Sequence, residues 1–245
     1  MRSFKPKSHL SSALSFLTII AIIWYVFYSQ TPSAAVEDSL PATEWSTARA
    51  LEHVKAMSVQ PHHVGSAAHD DVRDYVVTQL QAMGLQVTTQ KGYTMDPWGG
   101  NLANPENILA RIKGSQENSK ALLLLSHYDS DPHSSKGASD AASGVATILE
   151  GVRTFLAQNK QPLNDIIICI TDAEELGLNG AELFVNEHPW AQDVAMVLNF
   201  EARGSGGPSY MLVETNGGNR KIIKEFSNAG VEYPVANSLA TVYIK

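Results

Sequence analysis

Two unbroken apolar runs constrain this chain more than anything else in it: ALLLLS at 121–126 and DIIICIT at 165–171. A strand wetted on one face alternates apolar and polar residues, whereas one that is apolar throughout is covered on both faces. A helical segment at about 142–157 separates these two runs, and another at about 179–187 precedes two more strand candidates, AMVLNF (195–200) and SYMLVE (209–214). Strands alternating with helices predict an α/β fold with a parallel-rich sheet between helical layers. Upstream, 44–57 is expected to be a helix with Trp45, Ala48, Leu51 and Val54 or Lys55 at helical spacing. A second helix at 68–83 puts Val72, Tyr75, Val76 and Leu80 on one face and stops at Gly84. Residues 85–91 and 107–113 are expected as half-buried strands, joined by a Gly-, Pro- and Asn-rich loop, DPWGGNLANPEN.

Residues 10–28 (LSSALSFLTIIAIIWYVFY) carry no charge over 19 positions. A helix of about 20 residues spans a bilayer core. Arg2, Lys5 and Lys7 precede the run, and Trp24, Tyr25 and Tyr28 gather at its far end. That pattern predicts a cytoplasmic tail at 1–9, a transmembrane anchor at 10–28, a linker at 29–43 and an exported domain at 44–245, whether periplasmic, extracellular or luminal. A cleaved signal peptide ending near PSAA (32–35) is the rival, but its apolar region is usually only about 7–15 residues. The formal charge of −7, with three of the cations before residue 8, leaves an acidic body. Nucleic-acid binding, which needs a basic face, is not expected. Cys169 is the single cysteine, so no internal disulfide supports the fold, and its place in IIICI predicts a buried, inert thiol.

The segments at the ends of the strong strands carry the chemistry. After ALLLLS comes HYDSDPHSSKGASDAASG, after DIIICIT comes DAEELG, and after AMVLNF comes EARGSGG. In open α/β sheets, ligands bind at the carboxyl edge of the strands. His127, Glu174, Glu175 and Glu201 all reach that edge, with Asp140 opening a helix. Imidazole and carboxylates form a zinc donor set, and paired zinc sites stand about 3.5–4 Å apart. Asp129, two residues after His127, can accept the second ring N–H and set the tautomer. Of the adjacent acids Glu174 and Glu175, one can ligate while the other moves a proton.

SHYDS (126–130), GASDAASG (137–144), DAEELGLNG (172–180) and NFEARGSGG (199–207) together resemble the metal-binding motifs of the M28 zinc metallopeptidases. PHHVGSAAHDDVRDYVVTQLQAMGL (61–85) is most similar to the membrane-anchored branch of that family. The resemblance implies a mixed, mostly parallel sheet sandwiched by helices. It implies two zinc ions: His127 and Glu201 on the first, Glu175 on the second and Asp140 bridging them. It further implies Glu174 as general base and then acid, and Asp129 as the partner of His127. The activity implied is hydrolysis of peptide bonds by zinc-activated water in an exopeptidase, an aminopeptidase before a carboxypeptidase, with peptides as substrates. Oligomeric state is not legible. A glutaminyl cyclase-like enzyme and a catalytically inactive interaction ectodomain are the alternatives. The family also supplies a late histidine to the second zinc. The last histidine here is His188, before Glu201, so the chain is expected to stop short of that ligand.

Other polar residues have plainer expectations. His62 and His63 sit in a turn and are expected solvated or packed. His133 comes soon after the first ligand and is expected as a loop residue before one near the cleft, while His188 is expected to cap a helix end. Arg203 suits either a substrate carboxylate or an ion pair with the acidic cleft. Gly204, Gly206 and Gly207 allow close backbone approach or a plain turn. Asp172 is an N-cap or a spare acid and is assigned no metal.

Overall fold

The computed structural model describes residues 9–29, 31, 40–96, 99–202, 211–212, 220–229 and 236–237. They fall into two compact units, one of residues 35–205 and one of residues 1–34 with 206–245. The larger unit contains the helices α2 (Thr47–Met57) and α3 (Ala67–Ala82), and then strands β1 (Val87–Lys91), β2 (Thr94–Met95), β3 (Leu102–Ala103), β4 (Glu106–Ile112) and β5 (Ala121–His127). A π-type turn (Ala138–Ser143) leads into α4 (Gly144–Ala157), followed by β6 (Ile166–Thr171), α5 (Asn179–Glu187), a 3-10 turn (Pro189–Asp193) and β7 (Val194–Asn199). The smaller unit contains α1 (His9–Ser29), a parallel pairing of β8 (Met211–Leu212) with β9 (Ala236–Asn237), and α6 (Arg220–Asn228). By length and composition α1 is able to cross a membrane.

The main sheet has the order β1-β4-β6-β5-β7 among the described residues. It is mixed: β1–β4 and β4–β6 are antiparallel, and β6–β5 and β5–β7 are parallel. Residues two apart in a strand share a face, and the two buried clusters obey that rule. Ile108, Ala110, Ile168 and Ile170 pack against Met57, Val72, Val76, Leu80, Val145, Ile148, Leu149 and Val152 of α2, α3 and α4. Leu109, Leu123, Ile167 and Cys169 face the other way, onto Phe184 of α5 and onto Trp190 and Val194. The buried Cys169 thiol is free, and burial holds its pKa high. Fully burying one Ile or Leu is worth ~1.5–3 kcal/mol, against ~0–1 kcal/mol for an exposed ion pair, so these layers hold the sheet together.

Most expected elements are present, with three differences. DPWGGNLANPEN is not wholly a loop, because Met95 pairs with Leu102 and Thr94 with Ala103 in a small hairpin. The helix expected from 44 starts at Thr47, with Ser46 as its N-cap accepting from the Arg49 N–H. It also buries a different face: Ala50 and Met57 are buried, while Trp45 and Leu51 are exposed. The cause lies in α4. Buried Glu150 accepts from the Ser46 N–H at 2.9 Å and pairs with Arg49 at 3.0 Å and Arg153 at 2.6 Å, turning the Ser46–Ala50 side inward. Of SYMLVE only residues 211–212 are described as strand. Arg203, Gly204, Gly206 and Gly207 lie outside the described residues.

A second buried acid ties β4 to β6 at the end opposite the candidate site. Asp165, just before β6, accepts from Arg111 of β4 at 2.6 Å, from Lys113 at 2.9 Å and from the Gly114 N–H at 2.7 Å. Arg111 also reaches Asp193, next to β7, at 2.7 Å. Burial works to raise the Asp165 pKa, but these donors outweigh it and bring it down to about 2. A carboxyl depressed in the folded state stabilises above its unfolded pKa, and that stability is lost as pH falls through the folded value. Asp165→Asn is therefore expected to cost ~2 kcal/mol at pH 7. In denaturant titrations its deficit against wild type should stay constant down to about pH 4 and shrink towards pH 2.

Candidate metal centre

Parallel pairing brings three strand ends to one edge. His127 of β5 is in register with Thr171 of β6, and Leu125 of β5 with Asn199 of β7. The backbone continues that alignment beyond the strands, since Tyr128 N–H donates to Thr171 O at 3.0 Å and Phe200 N–H to Leu125 O at 2.8 Å. Asp140 arrives from the π-type turn ahead of α4. Gly144 lets that helix start press onto the strand ends, because a Cβ there would lie 2.3 Å from Phe200 O and 2.5 Å from Ser126 Oγ. Gly137 opens the same turn with φ +61°, and a Cβ on it would lie 2.7 Å from the His62 ring.

The predicted site residues converge on His127, whose side chain is 1% exposed. Its Nε2 lies 3.0 Å from Asp140 Oδ1 and 3.8 Å from both Glu174 Oε2 and Glu201 Oε1. Its Nδ1 faces two acceptors of Asp129, the main-chain oxygen at 3.0 Å and Oδ1 at 3.3 Å. Nδ1 therefore carries the proton and donates, which points Nε2 at the acids. The fully buried Asp129 also accepts from the backbone N–H of Glu174 (3.0 Å, Oδ1) and of Glu175 (3.2 Å, Oδ2). One carboxylate thus orients the imidazole and holds the peptide units that carry both adjacent acids.

Ligand atoms of His127, Asp140 and Glu175 all lie within 4.8 Å of one another, and so do those of His127, Glu174 and Glu201. The neighbours Glu174 and Glu175 thus fall in different groups, Glu175 with Asp140 and Glu174 with Glu201. Glu174 and Glu201 approach Nε2 equally, so distance does not mark one as ligand and the other as base.

The electrostatics fit a cation. Burial opposes charge on His127, but hydrogen bonds to Asp129, Asp140 and Glu201 outweigh it and push its pKa up to about 12. Burial first, and then repulsion from Asp140, raises Glu175 to about 7. Burial likewise raises Glu174; the charge of His127 opposes that rise, while Glu201, Asp129 and Asp140 add to it. Several acids crowded around one imidazole and destabilising one another form a donor set that a divalent cation relieves, and imidazole with carboxylates suits zinc.

Sequence reasoning missed two contributors, Asp172 and His69. Of the two states expected for His62, the structure shows the packed one, with its backbone N–H on Ser130 Oγ at 2.9 Å. Asp172 is no N-cap: it accepts from His69 Nε2 at 2.7 Å, from the Ala173 N–H at 2.7 Å and from the Glu106 N–H at 2.8 Å. The signal for His69 was present, since positions 69, 72, 76 and 80 share one helical face. The side chain of His133 is exposed and bonds to Asp131 at 2.9 Å. His188 accepts from the Trp190 N–H at the head of the 3-10 turn, a capping role as expected.

The sequence profile of peptidase family M28 matches residues 107–243. A vacuolar membrane protease of Candida albicans (strain WO-1) is 35% identical over 232 residues, covering 91% of this chain and 26% of that relative. The chain spans about a quarter of the length of the curated relatives it matches. Among solved structures, a leucine aminopeptidase precursor from Bacteroides thetaiotaomicron is similar with a TM-score of 0.64 at 23% identity, covering 81% of this chain and 80% of that one. Porphyromonas gingivalis glutaminyl cyclase is similar with a TM-score of 0.64 at 24% identity, covering 76% and 71%. At these identities the two structures speak to the fold.

Asp129→Ala would leave the Glu174 and Glu175 backbone N–H groups without their acceptor and reduce His127 Nδ1–H to the main-chain oxygen of residue 129. It is expected to weaken zinc binding by ~10–100-fold, read by competition with a chelating dye. Asp129→Asn, which keeps one acceptor oxygen, should fall between that variant and wild type.

Proposed function

The chain belongs to peptidase family M28, and from that premise we propose that it carries the zinc centre of a membrane-anchored metalloexopeptidase, most specifically an aminopeptidase. The observation that supports this best is the convergence of His127, Asp140, Glu174, Glu175 and Glu201 on one sheet edge, braced by Asp129. In this reading His127, Asp140, Glu175 and Glu201 would hold the zinc, two ions being proposed. Zinc bound there would polarise a substrate carbonyl and acidify water.

The remaining work falls to side chains. Glu174 is the proton carrier: at its Oε atoms it takes a proton from the attacking water and returns it to the leaving amine. Its raised pKa brings it nearer the working pH, where a group that must accept and then donate is most effective. Asp129 keeps His127 in one tautomer and holds Glu174 at a fixed height above the β6 end. The burial of His127 and Asp129 keeps water from the inner side of the site, which strengthens its charge interactions.

α1 serves as the anchor in this proposal, with the tail cytoplasmic and residues 44–245 on the exported side. Its length and apolar composition support a membrane span, as does the name of the Candida albicans relative, a vacuolar membrane protease, and the proposed side rests on Arg2, Lys5 and Lys7 ahead of it. Peptides with a free amino terminus are the proposed substrates. A glutaminyl cyclase-like reaction is the second reading, favoured only by the shared fold of the Porphyromonas gingivalis enzyme.

The test offers the full-length protein matched peptides with free, acetylated or glutaminyl amino termini. Loss of cleavage on acetylation is the result expected of an aminopeptidase. Undiminished cleavage of blocked peptides would overturn that assignment, and cyclisation without cleavage would establish the second reading. Glu174→Gln is expected to lower kcat by at least ~10²–10⁴-fold while zinc stays bound. Glu175→Ala is expected to lose zinc.

A further inference from the structure

We infer that His69 is a positioning residue for the acid pair, acting from beneath the site through Asp172 and Tyr128; the inference rests on the metallopeptidase reading of that site. His69 lies in the first turn of α3, where the N-cap Ser66 accepts its backbone N–H at 3.2 Å. Its Nε2 meets Asp172 Oδ1 at 2.7 Å, and both side chains are buried. The Asp172 carboxylate then ties this imidazole to the start of the acid loop and to β4. Oδ1 also accepts from the Ala173 N–H, and Oδ2 accepts from Glu106 at the start of β4. Ala173 is held at φ +54°, a left-handed conformation that non-glycine residues seldom adopt, and it directly precedes Glu174. Asp172 is the acceptor that holds this residue's N–H, and His69 is the side chain that holds Asp172.

The same imidazole touches the other half of the site. Its ring stacks on Tyr128 with centroids 4.8 Å apart and planes 23° apart. Tyr128 is the residue between His127 and Asp129, and its hydroxyl donates to Glu106 O at 3.2 Å. One side chain of α3 therefore contacts the segment carrying His127 and Asp129 and also the segment leading into Glu174 and Glu175. A buried His–Asp pair adds little net stability over an apolar pair of the same shape. What it adds here is direction, because the bond determines where Asp172, and so the Ala173–Glu174 peptide, must lie. Displacing catalytic groups by about 1 Å can cost ~10²-fold in rate.

Two variants of the full-length protein separate positioning from mere packing. His69→Phe keeps a ring against Tyr128 and removes the donor to Asp172, while His69→Gln keeps a donor and removes the ring. The expected result for His69→Phe is a folded protein whose kcat falls by ~10–100-fold with KM within about two-fold of wild type, and whose zinc Kd weakens by about ten-fold. His69→Gln should recover part of both losses. If His69→Phe fails to fold, Asp172→Leu, which keeps similar volume and removes the acceptor of both His69 and the Ala173 N–H, replaces it with the same expectations. A lowered melting temperature with kcat and zinc Kd unchanged would overturn the inference and leave His69 a packing residue. A wild-type protein that binds no zinc would overturn the metallopeptidase reading, and the inference with it.

Discussion

The Asp129 carboxylate is the contact on which the rest of the site depends. It is fully buried, yet its oxygens accept from the His127 ring and from the backbone of Glu174 and Glu175. A buried carboxylate is unfavourable unless its lone pairs are filled, so burial and pairing demand each other. Satisfying Asp129 requires the β5 end and the β6 end to meet at a fixed height. Parallel, in-register pairing of β5 with β6 provides that height, and the pairing of β5 with β7 brings Glu201 to the same edge. The acids themselves repel one another, so the geometry that gathers them has to come from the backbone and from the carboxylates that brace it.

A similar device recurs at three places in the larger unit. Glu150 fixes the start of α2 against α4, Asp165 ties β4 and β6 at the far end of the sheet, and Asp172 braces the acid loop. Each is a buried acid: Glu150 and Asp172 draw donors from more than one element, and Asp165 draws its donors from β4 and the residues just after it. The apolar layers supply most of the stability, and the buried acids determine how the ends of elements meet.

How much of this was legible in the sequence depends on the kind of signal. The central strands were, because ALLLLS and IIICIT exclude a one-sided sheet, and α3 was, because Val72, Val76 and Leu80 repeat at the helical period. That His127, Asp129, Asp140, Glu174, Glu175 and Glu201 meet at one edge was legible because three strand ends carry His or acid, although only the structure groups Glu175 with Asp140 and Glu174 with Glu201. The buried face of α2 was not legible, since Glu150, about a hundred residues away, sets it rather than local periodicity. His69 was legible as part of the buried face of α3, but its partner Asp172, about a hundred residues away, was not. The small hairpin at 94–103 was hidden by composition, because turn-rich residues mask two short strands.

The central claim is that a sheet edge braced by Asp129 holds two metal ions with Asp140 between them and leaves Glu174 for proton transfer. The most direct measurement is zinc-edge anomalous diffraction from crystals of the zinc-loaded full-length protein. The account predicts two anomalous peaks about 3.5–4 Å apart. His127 and Glu201 should lie on one, Glu175 on the other, Asp140 on both, and Glu174 on neither. Direct ligation of zinc by Glu174, or peaks away from this edge, would contradict it.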